Sequence, residues 1–239
     1  MRVLILAAGL GTRLRPITNK IPKCLVKVGN KPMLEHWLEK LSNIQIPPRE
    51  VYINLHYKKK QVENFLQTYE SGFPIFKIIE KELRGTGGTF LSLIDKKPDD
   101  DLLVIHCDNF YDASLDDFLV KSQSAIDDLN FDLALLSFRT KDKKNCGTME
   151  VDRDGKILCF WEKIETSPSN LANGAIYFFS KRIISNIREK RLQFHDIAKD
   201  LIEPLDRKIF CYEAHDYFCD IGTLGSLNET REYLSSKGN

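Results

Sequence analysis

Along the first half of this chain the spacing of apolar and polar positions switches repeatedly between two periods. Residues 3–6 form an unbroken apolar run, as expected of a strand covered on both faces. From Pro32 the spacing becomes helical. Met33, Trp37 and Leu41 make one stripe with Leu34 and Leu38 beside it, and Pro32 suits a first helical turn. Residues 51–55 read as a second strand. Residues 61–69 read as a helix turning Val62, Phe65, Leu66 and Tyr69 inward. A third strand at 75–79, a helix over 86–93 behind a Gly-Thr-Gly-Gly turn, and a fourth strand at 102–106 follow. Such alternation predicts an α/β fold, a mostly parallel, doubly wound sheet with helices on both faces. Ligands in these folds bind beyond the carboxyl ends of the strands, which is where residues 9–13 and Asp108 fall.

The second half is richer in strands, at 133–138, 148–151, 157–161, 175–179 and 209–212, with Asp152-Arg153-Asp154-Gly155 as a hairpin turn. After Thr223 a terminal helix is expected to turn Leu224, Leu227 and Tyr233 inward. Neither a Gly/Ser/Pro linker nor an internal repeat interrupts the sequence. One domain over residues 1–239 is therefore expected, with halves at about 1–110 and 111–239.

Composition narrows the classes. A chain of 239 residues with 42% hydrophobic content can bury a core, and a net charge of +1 gives no support for nucleic-acid binding. No apolar run approaches the about 20 residues of a membrane span. The sequence opens directly on a strand without a cleavage region, and its six cysteines form no Cys-x-x-Cys pair. These features predict a cytoplasmic protein with reduced, mostly buried thiols and no structural zinc site.

The chemistry gathers where apolar runs end. Gly9-Leu10-Gly11 is followed by Arg13, Arg15 and Lys23. Glycines let backbone N–H groups approach phosphate oxygens, and fixed cations hold the charge, so the block suits a polyphosphate. It lacks the Gly-Lys-Ser/Thr ending of a Walker loop, and Leu14 stands where a dinucleotide fingerprint needs its third glycine. Taken alone, Gly9-Leu10-Gly11 is equally an ordinary strand-to-helix turn with a surface arginine. Asp108 and Asp220, each at the end of an apolar run, are candidate ligands for Mg²⁺, with Asp216 as an alternative to Asp220. A lone strand-end aspartate also serves as a helix cap or turn residue. Asp99-Asp100-Asp101 reads as a solvated loop, and His106 as a core histidine.

The whole N-terminal block, through Pro22-Lys23 and Lys31-Pro32-Met33-Leu34-Glu35, resembles the signature of the sugar-1-phosphate nucleotidylyltransferases. The resemblance continues in family order through residues 80–88 (the base segment), His106-Cys107-Asp108-Asn109, Phe160-Trp161-Glu162-Lys163, Asn173-Gly174-Ala175-Ile176-Tyr177 and residues 218–223. It implies a Rossmann-like fold of the glycosyltransferase-A kind. The implied reaction joins a nucleoside triphosphate (NTP) and a sugar 1-phosphate into an NDP-sugar, and GTP with a mannose- or heptose-type acceptor is favoured. By the same resemblance Arg13 and Lys23 hold the NTP phosphates, and Asp108 and Asp220 hold Mg²⁺. Leu6, Ala8, Gly9, Gly11, Thr12, Glu80, Gly85 and Gly88 surround the nucleotide; Lys163 meets the acceptor phosphate; Gly147, Glu162, Asn173 and Gly174 line the sugar. The first half then binds the NTP and the second the acceptor. The likeness is to short, single-function members, and a homo-oligomer remains open.

Four departures bear on the acceptor more than on the activity: Cys107 for a glycine, Ile164 for a proline after Glu-Lys, Leu83-Arg84 for Pro-Leu, and Cys24 for a second proline. They leave room for a cytidylyl- or uridylyltransferase acting on another phosphorylated small molecule such as phosphocholine. A catalytically silent nucleotide-sugar-binding subunit is the remaining alternative. It would be expected to lack one of the charged residues, and all are present.

Overall fold

The computed structural model describes residues 1–204 and 208–238. It divides into two compact units, each made of separate chain segments. The first comprises Met1–Arg2, Arg84–Ile105 and Asp116–His215; the second comprises Val3–Leu83, His106–Leu115 and Asp216–Asn239.

In the second unit the strand Arg2–Leu6 neighbours Glu50–Leu55, which neighbours Ile75–Ile79. The last two run parallel, in register from Val51 opposite Ile75 to Leu55 opposite Ile79. The helix Met33–Ser42 buries the five apolar residues of its expected stripe, Met33, Leu34, Trp37, Leu38 and Leu41. The helix Lys59–Thr68 is anchored more lightly, because only Val62 is buried while Phe65, Leu66 and Tyr69 stay half-exposed.

The terminal helix Leu224–Ser236 opens on a capping box between Thr223 and Ser226. Of the expected trio it buries Leu227, together with Thr230 and Leu234 in place of Leu224 and Tyr233. Leu224 is in the first turn and stays exposed. Tyr233 sits to one side of the buried stripe, stacks on Tyr217 at 3.8 Å between centroids, and donates to Asp112 at 2.6 Å. A stripe drawn from hydropathy missed Thr230, whose hydroxyl is satisfied by Ser226 O at 2.9 Å.

The first unit is organised around the long strand Leu171–Phe179. It pairs antiparallel with Leu102–His106 on one side and with Leu133–Arg139 on the other, and meets Gly147–Val151 through Ala172 opposite Thr148. Gly147–Val151 and Ile157–Glu162 form the hairpin expected at Asp152-Gly155. Ile209–Glu213 lies parallel to Leu133–Arg139. The class is α/β as expected; the sheet is mixed, with its antiparallel pairs concentrated here. Two helices that the periodicity did not reveal, Asp116–Asp128 and Lys181–Glu189, also belong to this unit. Among the described residues no helix is long and apolar enough to cross a membrane.

Candidate active site

The second unit gathers four of the charged candidates, Arg13, Lys23, Asp108 and Asp220. After Leu6 the chain turns with Ala7 N donating to Asn54 Oδ1 at 2.6 Å. Gly11 adopts φ +64°, and a Cβ there would meet Thr18 Cγ2 at 2.8 Å, so both conformation and space require glycine. Thr18 Oγ1 donates to Gly11 O at 2.7 Å. At Gly9 a Cβ would meet nothing within 4 Å among the described residues, so none of these neighbours requires a glycine there. The short turns Thr12–Leu14 and Lys23–Leu25 carry Arg13 and Lys23; Thr12 and Arg15 are exposed.

Asp108 follows the strand Leu102–His106, and Cys107 N donates to Leu6 O at 3.0 Å. The short strand Asn109–Tyr111 pairs antiparallel with Phe218–Asp220, setting Asp220 opposite Asn109. Ile221 N closes the arrangement by donating to Asp108 O at 2.8 Å. Two aspartates more than a hundred positions apart in sequence thus face the same cation, Lys23, and Asp220 faces Arg13 as well. Lys23 Nζ donates to Asp108 Oδ2 and lies 3.9 Å from Asp220 Oδ1; Arg13 Nη2 lies 3.9 Å from Asp220 Oδ2. Burial alone would raise the Asp108 pKa, but the charges of Lys23 and His106 outweigh it and hold the carboxyl below its ordinary value. Two carboxylates aimed at one ammonium form an oxygen donor set that also suits Mg²⁺, which commonly takes one or two carboxylates and completes its shell with water and phosphate oxygens.

The alternatives fall elsewhere. Asp216 is exposed, and its charge acts on Lys40. Asp99 accepts from Arg2 Nη1 at 2.8 Å, and Asp101 accepts from Lys181 N at 2.7 Å, so these aspartates anchor chain segments. Glu80 is 3% exposed, and its Oε1 accepts from Asn54 Nδ2 at 3.0 Å. Asn54 was not a sequence candidate. Its signal was a lone amide inside the apolar run 51–55.

The first unit holds the remaining candidates. Gly147 pairs with Glu162 across the hairpin, and a Cβ on it would meet Glu162 Oε2 and Phe160 Cζ, both at 2.5 Å. Lys163 occupies the left-handed region at φ +57°, with its N donating to Cys146 O at 3.2 Å; its ammonium is exposed, 3.1 Å from Glu162 Oε1. The register of Leu171–Phe179 against Leu133–Arg139 shifts between Asn173 and Ile176, with Ala175 at φ +50°. Bulges of this kind re-aim side chains and recur beside functional sites. Asn173 spans the bulge, accepting from Ala175 N and donating to Tyr177 Oη, both at 2.8 Å.

The Gly-Thr-Gly-Gly turn opens the helix Gly85–Lys96. Its glycines serve packing as well as any ligand. At Gly85, with φ +73°, a Cβ would collide with His195 O, and at Gly87 one would meet the Phe194 ring at 2.5 Å. Thr86 Oγ1 accepts from Ile197 N at 2.8 Å, and Gly87 N donates to His195 O at 2.8 Å. At Gly88 a Cβ would approach, among the described residues, Arg84 Cβ at 3.0 Å.

An α/β chain that sets two cations against two carboxylates at strand ends has the parts of a phosphate-handling protein. The chain belongs to the nucleotidyl transferase family, whose model matches residues 2–237. It is 30% identical to D-glycero-alpha-D-manno-heptose 1-phosphate guanylyltransferase of Campylobacter jejuni, over 93% of this chain and 95% of that protein. It is also 30% identical to the bifunctional protein GlmU of Methanocaldococcus jannaschii, over 100% of this chain. The chain spans about half of that relative's length, 55%. The crystal structure of HddC from Yersinia pseudotuberculosis shares the fold with a TM-score of 0.75 at 24% identity, covering 98% of this chain and 99% of that one.

Proposed function

We propose that the chain transfers a nucleotidyl group from an NTP to a sugar 1-phosphate, releasing pyrophosphate. GTP and a mannose- or heptose-type acceptor are favoured. The observation that carries this reading is the convergence of Lys23 and Arg13 on Asp108 and Asp220. Family membership and the similarity to a heptose 1-phosphate guanylyltransferase support it.

The reaction is an in-line displacement at the α-phosphorus. Both reactants are anions, so catalysis needs charge neutralisation and positioning more than a covalent nucleophile. The acceptor phosphate is already ionised at neutral pH and needs no general base. Arg13 and Lys23 bind the NTP phosphates and stabilise the departing pyrophosphate. Leu6, Ala8 and Gly9, with Gly11 and Thr12, present backbone to the nucleotide, and the Gly85–Gly88 turn does the same. Asp108 and Asp220 would hold Mg²⁺, which when bound supplies further neutralisation on the phosphates. Lys163 meets the acceptor phosphate, and Glu162, Asn173, Gly147 and Gly174 position the sugar. We read the chain as one nucleotidyltransferase domain whose substrates are small anions, acting in the cytoplasm.

Pyrophosphate release tests the reading, with Mg²⁺ and each of ATP, GTP, CTP, UTP and dTTP crossed against mannose, glucose, heptose and N-acetylhexosamine 1-phosphates and phosphocholine. Release with GTP and a mannose- or heptose-type acceptor is expected. Release only with phosphocholine would overturn the acceptor class, and silence across the panel would overturn the transferase reading.

A further inference from the structure

Asn54 sits among Val51, Tyr52, Ile53 and Leu55 in the strand Glu50–Leu55 and is 4% exposed. An amide so placed is costly unless its polar atoms are bonded. Its Oδ1 accepts from Ala7 N at 2.6 Å, and its Nδ2 donates to Glu80 Oε1 at 3.0 Å. Glu80 is itself fixed: its N donates to Leu55 O at 2.9 Å, and His56 Nδ1 lies 3.1 Å from its carbonyl oxygen. A buried polar chain thus runs from the end of one strand, through the next, into the turn after Leu6. Packing alone would favour a hydrocarbon at position 54. What the amide adds is a fixed position for the Ala7 N–H.

We propose that Asn54 and Glu80 are positioning residues for nucleotide selection, holding the backbone of residues 6–9 in the conformation that reads the base. This inference rests on the function proposed above. Glu80 then acts through Asn54 on the turn, rather than from the place directly around the nucleotide that the resemblance implied. Backbone groups that read the edge of a ring must stay within about 0.5 Å of their productive positions, so releasing the Ala7 N–H loosens recognition without removing any group that touches substrate.

Near-isosteric exchanges test the relay in the full chain. Asn54→Asp sets two carboxyl groups face to face and should break it. The double variant Asn54→Asp with Glu80→Gln rebuilds it with reversed polarity. The carboxylate introduced at position 54 can accept both from Ala7 N and from the amide nitrogen introduced at position 80. Glu80→Gln alone preserves the relay through its amide oxygen. Calorimetric titration with GTP, CTP, UTP and ATP is paired with KM for NTP and for acceptor. Asn54→Asp is expected to weaken the preferred NTP about tenfold and to narrow discrimination among the four, with acceptor KM unmoved. Recovery in the double variant, and near-native behaviour of Glu80→Gln, are expected. A changed base preference in Glu80→Gln with Asn54→Asp silent would overturn the relay in favour of direct contact. A parallel rise in both KM values would overturn it in favour of a general structural role. A wild-type chain that binds none of the four triphosphates would defeat the functional reading and the relay with it; a defect confined to the variants leaves that reading intact.

Discussion

Lys23 and Asp108 are bonded directly, Nζ donating to Oδ2, while Asp220 Oδ1 faces the same nitrogen from 3.9 Å. Removing charge from Asp108 therefore disturbs a shared arrangement. Asp108→Asn keeps the side chain's size and should lower pyrophosphate release by at least about a hundredfold, the cost of losing one preorganised electrostatic partner. Circular dichroism should show an unchanged fold. Near-native turnover would remove Asp108 from the chemistry.

Lys163 separates function from stability. Its backbone sits at φ +57°, a conformation glycine adopts without penalty. Relief of about 1–2 kcal/mol of strain is offset by glycine's added unfolded-state entropy of roughly 0.5–1 kcal/mol. Lys163→Gly should therefore melt at or slightly above the wild-type temperature while acceptor KM rises at least about tenfold. A rise in NTP KM instead would reassign the ammonium.

Asp112 gives a pH signature. Burial alone would raise its pKa, but donation from Lys237 at 2.5 Å and from Tyr233 at 2.6 Å holds it below the ordinary range. A carboxyl depressed on folding contributes stability that is complete above the unfolded value of about 3.9 and is lost as pH falls through the lower folded value. The denaturation midpoint of Asp112→Asn should therefore fall below wild type at pH 7, and the gap should close in acid. A gap independent of pH would assign the loss to packing.

The cysteines should differ sharply in reactivity. Burial pushes the Cys24 and Cys211 thiols up to about 12 and raises Cys107 well above its ordinary value, whereas Cys159 is exposed. Alkylation at pH 8 followed by peptide mass spectrometry should modify Cys159 first, with Cys24, Cys107 and Cys211 reacting only on unfolding. Early labelling of Cys107 would mean that the strand end beneath Asp108 opens readily.

Local pattern carried much of the architecture. The strands Ile75–Ile79 and Leu102–His106 have the bounds their apolar runs predict, and Met33–Ser42 buries the stripe its spacing predicts. The apolar runs at 3–6 and 102–106 also end where the turn and Asp108 begin. Features set by long-range contact were not legible. Hydropathy cannot tell a glycine kept for a ligand from one kept for a neighbour, and Gly85 and Gly87 are pressed by Phe194 and His195, far along the chain. Asn54 passed unnoticed within the strand 51–55 because its partners, Ala7 and Glu80, are distant in sequence. The strand Leu171–Phe179 was foreseen only from 175 because its bulge breaks the alternation that marks a strand.

The second unit is assembled from three stretches of chain, the last beginning at Asp216. During synthesis Arg13, Lys23 and Asp108 emerge from the ribosome well before Asp220. Until residues 218–220 appear, the strand Asn109–Tyr111 lacks its pairing with Phe218–Asp220, and Asp108 lacks the Ile221 amide that caps its carbonyl. The charge cluster therefore cannot be completed until the nascent polypeptide has passed Ile221, and a chain released before that point carries its cations and one carboxylate without the fourth member that joins them.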